Sequence, residues 1–137
     1  YSSDGTDTKI FHTHDGYGLV RGRELGLKFA VISGMSSKVN RMRSEKLKIH
    51  YIYENIDDKL IPFEELKKKY KMNNEKFAYI GDDEFDIPLL KKAGVSFAPK
   101  NAVDKVKKSV DIVCKKNGGE GAVREVIDMI LKAKGLI

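Results

Sequence analysis

The chain has 137 residues, of which 41% are hydrophobic and 34% charged, a balance that fits one folded domain and excludes a disordered chain. Its single cysteine, Cys114, excludes an intrachain disulfide and a cysteine-based zinc site. Lys and Arg total 26 against 20 Asp and Glu, a net charge of +6, which favours phosphate-bearing partners in general. The lysines fall in runs on helix faces, with no aromatic-interleaved basic groove, so no nucleic-acid partner is expected. No apolar run reaches membrane-spanning length and no signal peptide opens the chain, so no membrane partner and a reducing, cytoplasmic setting are expected.

Short apolar strands alternate with amphipathic helices along the chain. Residues 3–7 read as a turn, residues 9–14 as a strand, and residues 16–25 as a short helix ended by Gly26. The run KFAVI, residues 28–32, reads as a buried strand, followed by a helix over residues 37–46 with Val39 and Met42 facing inward. Strands over residues 50–53, 77–80, 95–98 and 111–114 are then expected, with helices over residues 60–70, 84–93, 102–108 and 121–134. Such alternation with short connections predicts a parallel α/β sheet covered on both faces. Ligands of open parallel sheets bind at the carboxyl ends of the strands, so the residues that follow each strand carry the functional information.

Ser33-Gly34 follows KFAVI, where a hydroxyl and a following N–H can hold a phosphoryl oxygen or simply turn the chain into a helix. Lys59 opens the helix after residues 50–53, against the helix dipole, a placement that a phosphate counter-charge would explain. FAYI runs into Gly81-Asp82-Asp83-Glu84-Phe85-Asp86, four acids within five positions. Capping accounts for one or two of them; the density points to a hard cation such as Mg²⁺. Asp15 reads as the N-cap of its own helix, and His12 and His14 lack a third ligand for a metal.

The order Ser-Gly, then Lys, then Gly-Asp-Asp with a trailing Asp, each after a strand, resembles the haloacid dehalogenase superfamily. KIFHTHDGYG, LKFAVISG, DDKL, FAYIGDDEFDIPLLKKAGVSFAPKNA and NGGEGAVREVIDMIL resemble the 3-deoxy-D-manno-octulosonate 8-phosphate phosphatase family over nearly the whole chain. The resemblance implies a three-layer Rossmann-like fold without a large cap domain, residues 1–14 as an N-terminal β-hairpin flap and residues 15–137 as the core. It implies a Mg²⁺-dependent phosphomonoesterase of lipopolysaccharide biosynthesis that acts on a sugar-acid phosphate through an aspartyl-phosphate, assembled as a homotetramer. By the same resemblance Ser33 and Lys59 are catalytic, and Ser33, Gly34, Lys59 and Arg124 bind phosphate or substrate. Asp82, Asp83 and Asp86 form the metal site, and Gly118 and Gly119 belong to a tail that closes the pocket.

Two departures accompany the resemblance. The family's first strand, with its nucleophilic and acid/base aspartates, is expected before Tyr1 and is not in this sequence; Ser33 cannot replace it, since no histidine base is placed beside it. The chain is therefore expected to belong to a phosphatase whose nucleophile lies outside residues 1–137, the alternative being an inactive binding or oligomerisation module. Met35 and His14 stand where the family often has arginines, which removes a carboxylate clamp.

Overall fold

The computed structural model describes all residues, 1–137. In chain order it holds α1 (Thr13–Glu24), β1 (Ala30–Ile32), α2 (Lys38–Lys46), β2 (Tyr51–Tyr53), α3 (Leu60–Tyr70), β3 (Ala78–Ile80), α4 (Ile87–Lys92), β4 (Val95–Ala98), α5 (Asp104–Lys107), β5 (Ile112–Val113) and α6 (Ala122–Ala133). Every strand pair is parallel. β1 lies beside β2 in register Val31 to Ile52, and β3, β4 and β5 follow one another with Tyr79 beside Ser96 and Phe97 beside Ile112. No helix is long and apolar enough to cross a membrane.

The core is densest around β4, whose consecutive residues serve opposite faces. Ala98 packs with Leu90, Ala102 and Val106 on one side, and Phe97 with Cys114, Ala122 and Val126 on the other. Burial pushes the Cys114 thiol up to about 11, as befits an inert core residue. Ser96 and Asp111 tie β4 to the start of β5 reciprocally. Asp111 Oδ2 accepts from the Ser96 N–H and hydroxyl at 2.8 Å, and Ser96 Oγ accepts from the Asp111 N–H at 3.0 Å.

Helices α1 and α6 form the closest helix pair, because α1 presents glycines where they meet. A Cβ at Gly18 would come within 2.8 Å of Arg124 Cδ and 3.3 Å of its Cα, so a larger residue would force the helices apart. The junction carries a cap that the sequence does not announce. α6 starts at Gly121, which has no side chain to accept its free N–H groups. Asp15 of α1 supplies the acceptor, taking hydrogen bonds from Gly121 N at 3.2 Å and Arg124 N at 2.9 Å. The N-cap of α1 is instead His12, whose Nδ1 accepts from His14 N at 3.2 Å. Asp15→Ala is expected to lower stability by about 1–2 kcal/mol, measured by urea unfolding; a change below a few tenths would remove Asp15 as the cap.

Three expectations are corrected. Residues 9–14 form no strand: the chain closes a tight turn through Ser2 and Thr6, continues without regular structure, and enters α1 at Thr13. The hairpin flap is thus present only as its turn, because the arm finds no partner strand within the chain. Met42 is 61% exposed rather than inward-facing. The single helix expected over residues 84–93 is a 3₁₀ turn, Glu84–Asp86, that passes into α4 at Ile87, with Pro88 in its first turn.

One feature of the sheet bears directly on function. β1 is hydrogen-bonded only to β2, and β3 only to β4, so each leaves one edge unpaired. Consecutive residues Phe29–Ile32 and Phe77–Ile80 line a single cleft of about 670 Å³. Consecutive rather than alternate lining means that strand edges, not faces, border it. Phe63, Leu66 and Tyr70 of α3 and Val126, Ile127 and Ile130 of α6 also line it. The slot is apolar, and Ala30 and Ala78, midway along expected buried strands, are exposed in it.

Candidate active site

The four acids after β3 divide into four separate tasks. Asp83 caps the 3₁₀ turn, its Oδ1 accepting from Glu84 N at 2.7 Å. Glu84 pairs on the surface with Lys105 at 2.7 Å. Asp86 is 1% exposed, and both its oxygens are engaged. Its Oδ1 accepts from Lys59 Nζ and from the Tyr79 hydroxyl, each at 2.6 Å, and its Oδ2 accepts from the N–H groups of Asp82 at 3.0 Å and Asp83 at 3.2 Å. Asp82 alone presents a free, exposed carboxylate, at the mouth of the slot.

Gly81 makes this compact turn possible. A Cβ there would stand 2.6 Å from Asp86 Cβ and 2.7 Å from its Cγ, so only glycine lets the Asp86 carboxylate fold back beneath the loop. Burial alone would raise the Asp86 pKa; the hydrogen bonds from Lys59 and Tyr79, with the Lys59 charge, outweigh it and hold the carboxyl below the usual aspartate range. Asp82 shifts the opposite way. Partial burial raises it first, then the neighbouring charges of Asp86 and Asp83, with Lys59 opposing them.

Lys59 is 8% exposed although it opens α3. The dipole penalty expected for that position is met by two arrangements. Asp58 Oδ1 accepts from Leu60 N at 2.9 Å and caps the helix, and the ammonium turns away to the buried Asp86. Nζ also lies 3.2 Å from the Tyr79 hydroxyl and 4.6 Å from the centroid of the Phe85 ring. This ion pair joins the β1–β2 half of the molecule to the β3–β5 half at the mouth of the slot.

Ser33 directly follows β1. Its N–H donates to Tyr53 O at 2.8 Å, its carbonyl accepts from Ile56 N at 3.1 Å, and its Oγ accepts from Met35 N at 3.2 Å. Gly34 beside it is exposed, with Ile56 O 3.6 Å from where a Cβ would stand. Lys59, Asp82 and Asp86 therefore share the mouth of the slot, and Ser33-Gly34 occupies the equivalent strand end in the other half. Arg124 is elsewhere: its Nε donates to Asp128 Oδ2 at 2.7 Å and its guanidinium lies 5.2 Å from the Tyr17 ring centroid, on the α1–α6 junction. Met35 is 59% exposed, and Arg41 of the helix that follows is tied to Glu54 at 2.6 Å and Ser36 at 2.8 Å.

No three acidic or histidine side chains converge on one point. The donor set still fits Mg²⁺, which commonly takes one or two carboxylates and fills its shell with water and phosphate oxygens. Asp82 supplies one free carboxylate whose charge is disfavoured until a cation meets it. Tyr79 is the site residue that the sequence did not reveal, since its ring counts as an ordinary member of the strand FAYI; its position three residues before Asp82 is the only local signal.

The family model of the haloacid dehalogenase-like hydrolases matches residues 27–127. The 3-deoxy-D-manno-octulosonate 8-phosphate phosphatase of Escherichia coli K12 is 36% identical over 133 residues, 97% of this chain and 71% of that protein. The chain belongs to this phosphatase family. Solved structures agree. The Moraxella catarrhalis member, in complex with magnesium, phosphate and KDO, superposes with a TM-score of 0.95 at 38% identity, covering 99% of this chain and 79% of the other. The cobalt-bound Haemophilus influenzae member gives 0.94 at 38% identity, covering 98% and 79%. The family's parallel α/β fold and its assignment to phosphatases thus hold for this chain.

Proposed function

We propose that residues 1–137 form the greater part of a Mg²⁺-dependent phosphomonoesterase that hydrolyses a sugar-acid phosphate such as 3-deoxy-D-manno-octulosonate 8-phosphate. The observation that carries this reading is the buried Lys59 ammonium fixed beside the free carboxylate of Asp82 at the strand ends. Phosphoryl transfer is governed by placement of charge around the transferred group. Lys59 offers a cation to the phosphoryl oxygens, the Ser33 hydroxyl and the neighbouring N–H groups offer hydrogen bonds, and Asp82 anchors the metal. Bound Mg²⁺ would neutralise charge on the phosphoryl oxygens.

The nucleophile is a carboxylate from outside residues 1–137. Its oxygen forms a bond to phosphorus as the bond to the sugar oxygen breaks, the sugar leaving as its alcohol with a proton from an acid. Water then cleaves the acyl phosphate, returning the carboxylate and releasing inorganic phosphate. The apolar slot between β1 and β3 supports this reading, because a strand seated there would end beside Asp82 and Lys59. The relatives named above support the sugar-acid phosphate as substrate class. A cytoplasmic setting and a homotetramer belong to the same proposal, the tetramer supported by an N-terminal arm that pairs with no strand and carries Ile10 at 92% exposure.

The test uses the intact polypeptide that contains this chain. Phosphate release from 3-deoxy-D-manno-octulosonate 8-phosphate is expected with Mg²⁺, lost on chelation with EDTA and restored by added Mg²⁺. Turnover unaffected by EDTA, or none with metal present, would overturn the reading.

A further inference from the structure

We propose that Tyr79 is a positioning residue that orients the Lys59 ammonium toward the phosphoryl group, an inference that rests on the phosphatase reading above. An ammonium carries three N–H donors on a freely rotating head. At Lys59, one points to Asp86 Oδ1 at 2.6 Å and a second to the Tyr79 hydroxyl oxygen at 3.2 Å. The Tyr79 O–H cannot turn away, because it donates to the same Asp86 Oδ1 at 2.6 Å. The three groups close a triangle in which each fixes the other two. With two of its donors committed, the ammonium keeps one for a ligand.

The rest of the network holds the triangle in place. Asp86 Oδ2 is bound by the Asp82 and Asp83 N–H groups, so the carboxylate cannot rotate, and Gly81 leaves room for it at 2.6 Å. Phe85 lies against Lys59 with 4.6 Å from Nζ to its ring centroid. Asp86 alone would fix only one N–H, and the head could still turn about that bond. Tyr79 supplies the second point that stops the rotation. Its hydroxyl thus acts through Lys59, and a poorly aimed cation is expected to stabilise the transition state less than a well-aimed one while binding the ground state about equally well.

The test is Tyr79→Phe, which keeps the ring and removes only the oxygen. Two readouts are taken on the intact polypeptide: turnover, and the Lys59 ammonium signal in a heteronuclear NMR spectrum, assigned by its absence in Lys59→Arg. An ammonium held at two points exchanges slowly enough with water to be seen; one held at a single point loses that protection. In Tyr79→Phe the signal is expected to vanish, and kcat to fall by about ten- to a hundredfold with KM within about twofold. Tyr53→Phe, which removes a tyrosine hydroxyl from β2, is expected to change neither. A signal that persists in Tyr79→Phe, or an unchanged kcat, overturns the proposal. If the unaltered polypeptide shows no turnover, the phosphatase reading falls, and the ammonium signal alone then decides whether Tyr79 fixes Lys59.

Discussion

Replacing Asp86 with alanine is expected to destabilise the chain by about 3–5 kcal/mol, because it leaves the Lys59 ammonium buried without its counter-charge. The loss is large against the ~5–15 kcal/mol that holds a typical domain together. Lys59 and Asp86 are 8% and 2% exposed at their side chains, and the pair is 2.6 Å apart. Asp86 also accepts from Tyr79 and two backbone N–H groups, so alanine frees four donors at once. Lys59→Met is expected to cost less, since the remaining carboxylate keeps three of its donors. The double variant Lys59→Met, Asp86→Leu is expected to recover part of the loss, because an apolar pair needs no mutual neutralisation. Urea unfolding at neutral pH measures all three. An Asp86→Ala cost below about 1 kcal/mol would show that the pair is not buried in solution. The pH dependence has a definite sign. Asp86 sits below the ordinary aspartate value of 3.8 in the folded chain, so its contribution is present above that value and is lost as pH falls through the lower one.

The same pair explains how much of this molecule could be read from its residues in order. Strand and helix alternation was legible because it depends on local periodicity: the expected helix over residues 60–70 and strand over residues 95–98 match α3 and β4. The strand expected at residues 9–14 failed for a non-local reason. Its sequence suits an extended edge, but strand formation needs a hydrogen-bonding neighbour, and none lies within the chain. Met42 failed likewise, since helical spacing cannot say which face a neighbouring element covers.

Within the site, the types of residue were legible and the division of labour was not. The acid-rich turn after β3 stood out, yet distant contacts decide what two of its acids do: Lys59 takes Asp86 at a separation of 27, and Lys105 takes Glu84 at a separation of 21. Asp15 shows the extreme case, meeting Arg124 N across 109 residues to cap a helix other than its own. Side chains that act at long range carry no periodic signature, so Tyr79 passed as a strand residue and Asp15 as a local cap.

Asp82→Asn is expected to abolish metal-dependent turnover while making the chain slightly more stable. The functional arm follows from the division above: Asp82 holds the one free carboxylate of the acidic turn, and an amide is a much weaker ligand for a hard cation. The stability arm follows from the direction of its shift. Partial burial and the charges of Asp86 and Asp83 raise the Asp82 pKa above 3.8. The folded chain therefore holds this proton more tightly than the unfolded chain. Stability falls as pH rises from 3.8 through the raised value, and at neutral pH the ionised carboxylate is a net cost. Removing the charge relieves that cost by about 0.5 kcal/mol, after discount for solvent screening of an exposed group. Urea unfolding without divalent metal is expected to show Asp82→Asn the more stable at pH 7 and indistinguishable from the unaltered chain below pH 3.8, where the proton is bound in both states. Added Mg²⁺ is expected to reverse the order at neutral pH, because it binds the unaltered chain alone and stabilises what it binds. An Asp82→Asn variant that is less stable without metal, or that responds to Mg²⁺ like the unaltered chain, would place the metal on other residues.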